Sequence, residues 1–198
     1  TDVDGNVYQT VTIGTQIWMA ENLKATHFQN GDSLKNITDP VEWASNDQDG
    51  YCYYNNDEAY DAVYGKIYNA YAATDGRNIC PTGWHVPSDA DWEVLFTSLG
   101  GQQVAGGKLK EAGTEHWSSP STGATNESGF NALPGGGRWL ESDVYDYGVF
   151  GGIHETAAFW STDFPTPVLL KYNTDSVTHT MNNTYGSSIR CVFNGTAG

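Results

Sequence analysis

Three cysteines, five histidines and 24 carboxylates are the side chains of this sequence best able to do chemistry. Cys80 lies in Asn78-Ile-Cys-Pro-Thr-Gly-Trp-His-Val-Pro-Ser88 and Cys191 in Ser188-Ile-Arg-Cys-Val192. If these two pair, the bond ties mid-chain to the far end and predicts one closed domain over residues 1–198. In the chain-entropy account a loop of that size loses about 4 to 5 kcal/mol of unfolded-state entropy. Such a bond persists only in an oxidising compartment. The alternative is three buried free thiols. With the pair formed, Cys52 is left over, either a buried thiol or a route to an intermolecular bond.

Glu141, Asp143 and Asp146 fall within six residues, and Asp47 and Asp49 form a second close pair. Either group could offer oxygens to calcium, though neither has the full EF-hand pattern. No other cofactor is expected. His85, between Trp84 and Val86, reads as a core histidine with both nitrogens satisfied. His27, His116, His154 and His179 are scattered without the spacing of a structural zinc site. A chain this rich in acids makes no single carboxylate pair informative about hydrolysis. There is no Gly-x-Ser-x-Gly elbow and no phosphate-binding glycine loop, so no catalytic residue is assigned.

The elements that must position these groups are short. Residues 3 to 23 alternate apolar and polar around Gly14, which predicts a hairpin. After a polar stretch with turn signals at Gly31, Asp39-Pro40 and Asp49-Gly50, Tyr51 to Tyr54 offers a strand. Apolar and aromatic residues at Tyr60, Val63, Tyr64, Ile67, Tyr68, Tyr71 and Ala72 recur at three and four, which predicts one helix over 57–74. Ser88, followed by Asp89 and Asp91, caps a second helix that Gly100-Gly101 ends. A third runs from Val104 to Ala112 despite two internal glycines. Beyond Gly113 the chain becomes short strands and long loops, with strands expected around Glu115 to Trp117, Phe130 to Pro134, Ala158 to Ser161, Val168 to Tyr172 and Ser188 to Phe193. No repeat or linker marks a boundary.

Nine Lys and Arg against 24 Asp and Glu leave a net charge of −15, which opposes binding to nucleic acid or anionic lipid. No apolar run is long enough to span a membrane, and the first residues carry no secretion leader, as in a mature or excised piece. Seven Trp and twelve Tyr in a glycine-rich chain with few charged residues in total suit a binding surface.

Eight ordered motifs carry a resemblance over nearly the whole chain: Ile17-Trp-Met-Ala-Glu-Asn-Leu23, Tyr64-Gly65, Ile79 to Ser88, Trp92, Ala105-Gly-Gly-Lys-Leu-Lys110, Gly129-Phe-Asn-Ala-Leu-Pro-Gly135, Phe159-Trp-Ser161 and Tyr185 to Val192. Together they resemble the Fibrobacter succinogenes major paralogous domain, a family of bacterial extracellular modules common in Bacteroidetes. The resemblance implies an α+β, C-type lectin-like fold: two helices packed on small twisted antiparallel sheets, with a long loop-rich C-terminal region. Some members have a cysteine where this chain has Asp61, so Cys52 lacks a local partner and reads as a buried thiol. The Glu-Pro-Asn calcium motif of animal lectins is absent.

The family is also similar to the variable proteins of diversity-generating retroelements, which display variable residues late in the chain. That likeness directs attention to residues 138 to 184, where rigid aromatics stand beside short polar groups. The candidate ligand-binding residues are Trp139, Glu141, Asp143, Tyr145, Tyr147, Phe150, His154, Phe164, Tyr172 and Asn173. The expected function is a non-enzymatic extracellular or cell-surface module, of a bacterium or a phage particle, that adheres to a protein or glycan on another surface. Two alternatives remain: a subunit that self-associates into a layer or fibre, and an enzyme like the formylglycine-generating enzymes, built on Cys52 and a second cysteine.

Overall fold

A computed structural model describes residues 1–45, 48–139, 148–163, 167–179 and 184–197. The N-terminal hairpin forms as expected: β1 (Thr10–Ile13) and β2 (Gln16–Met19) pair antiparallel through a two-residue turn, with Gly14 at φ +59°. A side chain on Gly14 would sit 2.8 Å from Ser98, so the turn also needs glycine for space.

Residues 57–74 do not form one helix. Gly65 interrupts them at φ +70°, where a Cβ would come within 2.9 Å of the Leu23 carbonyl. Before it lie β3 (Lys35–Asn36), α1 (Pro40–Ser45), β4 (Gly50–Cys52), 3-10 turns at Tyr54–Asn56 and Glu58–Tyr60, and α2 (Asp61–Tyr64). After it, β5 (Ile67–Tyr68) pairs antiparallel with β4, and α3 (Ala70–Thr74) starts from an Asn69 cap. The spacing of three and four arose because several short segments each bury an aromatic: Tyr64 and Tyr68 are both buried, on different elements.

Ser88 caps α4 (Asp89–Ser98) in a reciprocal capping box with Asp91. Then α5 (Gln102–Leu109) follows. Its two glycines are there for contact: a Cβ on Gly106 would meet the Asp175 and Ser176 carbonyls at 2.8 Å, and one on Gly107 would overlap Gly123. Residues 115–117 and 130–134 are not strands; the first is a bend and the second holds only an isolated bridge from Ala132 to Lys110.

Two further sheets complete the chain. β6 (Trp84–His85) and β13 (Val192–Phe193) join the hairpin in the order β1-β2-β13-β6. The largest sheet runs β11-β10-β9-β7-β12, with β8 also on β7: β7 is Gly135–Trp139, β8 Val149–Ile153, β9 Thr156–Phe159, β10 Val168–Lys171, β11 Val177–His179 and β12 Thr184–Gly186. The fold is therefore α+β, with five α-helices among the described residues on several small sheets. Most pairings are antiparallel, but β3-β4 and β7-β9 are parallel. No described helix is long and apolar enough to cross a membrane.

The motifs that carry the resemblance converge in the interior. Trp18, Trp92, Phe130 and Phe159 form one aromatic cluster with ring centroids 4.8–6.0 Å apart. Buried Arg190 stacks on Phe130 and Phe159, donates to the Phe130 carbonyl, and gives two hydrogen bonds to Asn22 Oδ1. Asn22 passes the linkage on to the Tyr64 carbonyl. Cys80 and Cys191 are joined in a disulfide beside Trp160 and Tyr68.

Candidate functional site

The strand register sorts the two ends of the largest sheet. Trp139 pairs with Val149 and Thr184, Phe159 with Val168, and Val168 with His179. The connections β7-β8, β9-β10 and β11-β12 therefore all leave from one end. Glu141, Asp143, Tyr145, Tyr147 and Phe164, like the calcium candidate Asp146, lie outside the described residues, as does Asp47. Asp49 is ion-paired with Arg77 at 3.1 Å.

The base of the β7-β8 connection is fastened by a buried cation. Arg138 is 1% exposed and donates to the carbonyls of Gly148 (2.9 Å), Ile37 (2.8 Å) and Thr38 (3.0 Å). Its guanidinium lies between the rings of Trp43 and Phe150, 4.7 and 4.8 Å from their centroids. Trp139, one residue on, faces the other way, as strand alternation requires. Its half-buried indole covers Gly137 and Gly151, where any Cβ would come within about 3.0 Å of the ring. Two glycines paired across the hairpin thus make room for one tryptophan.

That alternation separates residues grouped from sequence. Phe150 packs inward against Tyr54 and the small core of Ile37, Trp43, Cys52 and Ile67, on the face opposite Trp139. His154, Tyr172 and Asn173 lie at the other end of the sheet. β8 alone, at about 3.3 Å per residue, spans roughly 13 Å between them and Trp139. There Tyr172 N–H donates to the Glu155 carbonyl at 2.9 Å, and His154 Nδ1–H to the His116 carbonyl at 2.8 Å. Tyr172 is half-buried against the main core; His154 and Asn173 are exposed.

Sequence reading missed the group that fastens this second end. Lys110 has no exposed surface and donates through Nζ to the carbonyls of Thr122 (2.7 Å), Lys171 (3.0 Å) and Thr174 (2.9 Å). Burial pushes its ammonium down to about 8 while three carbonyl dipoles hold the charge in place. Lysine at a helix end, three residues past a Gly-Gly pair, was the only sequence signal.

His85 is not a core residue. It is half-buried and bridges Asn194 Oδ1 (2.6 Å) and Asp91 Oδ2 (3.1 Å). The Asp91 carboxylate raises the His85 pKa. Burial would raise Asp91, but hydrogen bonds from His85 and Ser88 outweigh it and hold the carboxyl down to about 2. Cys52 is fully buried, and burial pushes its thiol up to about 12 despite nearby Arg138.

The model of the Fibrobacter succinogenes major domain matches residues 11–192. The chain belongs to the Fibrobacter succinogenes major domain family. In this member the family motifs fall on the aromatic cluster, the Arg190 linkage, the disulfide and the Lys110 cage, which is to say on the interior and its fasteners. No curated protein and no solved structure matches the chain.

Proposed function

We propose that this Fibrobacter succinogenes major domain is a non-enzymatic, extracellular binding module that contacts a protein or glycan through the end of the large sheet marked by Trp139. The observation that carries the reading is the register: three successive connections depart from that end, above a base tied together by Arg138. Aromatic contact area with neighbouring short polar side chains is the composition of adaptable interfaces. A C-type lectin-like fold and a retroelement-variable ancestry are consistent with this arrangement. The Cys80–Cys191 bond supports residence in an oxidising compartment.

Cysteine-based catalysis finds little support. Cys80 and Cys191 are bonded to each other, and the Cys52 thiol is buried far from its reactive thiolate form.

The test is a glycan and surface-protein array probed with and without calcium, beside a variant whose residues 139 to 147 are replaced by Ser and Gly. Binding lost in a variant that keeps its melting temperature supports the reading. Binding kept by the variant moves the site elsewhere. A silent array with sedimentation as an oligomer favours self-assembly instead.

A further inference from the structure

Glu111, Glu115 and His116 each offer a ligand atom, and these atoms lie within 4.8 Å of one another. His116 Nδ1 is 2.8 and 3.0 Å from the two oxygens of Glu111. Glu115 is exposed and has no hydrogen-bond or ion-pair partner among the described residues. Among the described residues no Lys or Arg is ion-paired with either glutamate, so even a protonated imidazole leaves the group one negative charge in excess.

The three residues are held close by what flanks them. Lys110, on one side, is locked in its carbonyl cage. Trp117, on the other, is 2% exposed and donates to the Ala132 carbonyl at 3.0 Å. Between them the chain bends through Gly113 at φ +86°, and Glu111 N–H is fixed to the same Ala132 carbonyl. Ser118 N–H donates to the His154 carbonyl, and Tyr64 lies edge-on to both His116 and His154. His116 also lines an open cleft of about 280 Å³ with Asn131 and Leu133, which gives solvent access.

We propose that Glu111, Glu115 and His116 bind one divalent transition-metal ion of the zinc class. One imidazole and two carboxylates supply three ligands, leaving a fourth position to water, the arrangement of an open rather than a closed zinc site. Zinc bonds to nitrogen and oxygen of about 2.0–2.2 Å place ligand atoms about 3.3 Å apart. The His116–Glu111 contact must therefore open by about half an ångström as the ion displaces the shared proton, and the free Glu115 side chain swings in. An imidazole donor favours zinc, nickel or copper over calcium, whose sites are built from oxygens. Glu115 and His116 adjoin each other while Glu111 lies four residues before Glu115, a spacing that works only because the segment bends.

The test is calorimetric titration of the untagged full chain with zinc, with calcium as comparison. One zinc per chain is expected, with affinity about tenfold weaker in Glu115→Gln and binding abolished in His116→Gln. Because Glu115 is exposed, its variant should fold normally even if His116→Gln does not, and Glu115→Asp should recover part of the affinity. Absence of zinc uptake, uptake unchanged in both variants, or calcium binding as tight as zinc would overturn the proposal.

Discussion

The two ends of the six-stranded sheet are built to different rules. At the His154–Tyr172 end the turns are short and mutually bonded: Tyr172 to Glu155, Thr122 to Tyr172, His154 to Pro134, Ser118 to His154. Lys110 adds three carbonyls from two segments, Thr122 on one and Lys171 and Thr174 on the other. At the Trp139 end the Arg138 guanidinium holds the carbonyls of Gly148, Ile37 and Thr38, at the base of the β7-β8 connection. Among the described residues each end thus has a buried cation holding backbone carbonyls, Lys110 on the turns of its end and Arg138 at the base of the β7-β8 connection.

Lys110→Met should reveal the difference most strongly. It orphans three carbonyls, so unfolding in urea should show a loss of about 3 kcal/mol, with ligand binding at the Trp139 end unchanged. Arg138→Met should cost about 2 to 3 kcal/mol by the same reasoning, and it should also weaken binding, because the base of the β7-β8 connection goes with it. If both variants affect binding equally, the two ends are not independent. Trp139→Ala uncovers the Gly137–Gly151 pair. About 1 kcal/mol of stability should be lost, against a fall in affinity of about tenfold or more if the residue is an anchor.

Two smaller effects sharpen the contrast. His85 holds its proton more tightly folded than unfolded, so its contribution is complete below its ordinary value of 6.5 and is lost as pH rises through the raised folded value. Asp91, depressed to about 2 from 3.8, contributes fully above 3.8 and loses that contribution as pH falls towards 2. Thermal melts across pH should therefore be highest between these limits, and His85→Gln should flatten the alkaline side. Asn173→Ala, at an exposed turn, should alter stability by less than about 0.5 kcal/mol and leave binding intact.

What could be read from the sequence was local. Ser88 with Asp91, and Gly14 in its turn, each signal a structure within a few residues, and both formed. The pairing of Cys80 with Cys191, expected from their two motifs, also formed. The supposed helix over 57–74 failed because hydrophobic spacing cannot separate one helix from several short segments, and Gly65 answers to a carbonyl of Leu23, far away in sequence. The residues grouped as one binding face do not share one face: Phe150 packs opposite Trp139, and His154, Tyr172 and Asn173 lie at the other end of the sheet. Whether Phe150 faces with or against Trp139 depends on a register set across the hairpin, which no linear pattern states. Lys110, Arg138 and Arg190 were unreadable as fasteners for the same reason: each serves carbonyls or an amide on elements remote from its own.

β13 occupies an inner position, between β2 and β6, and the residues just before it supply Arg190 and Cys191. A chain made from its N-terminus onward therefore carries an open hairpin, an unpaired thiol at Cys80 and an uncovered aromatic cluster until residue 193 has been synthesised. Completion is a late, all-at-once event rather than a gradual accretion. The arrival of Cys191 also sets the earliest moment at which oxidation can seal Cys80.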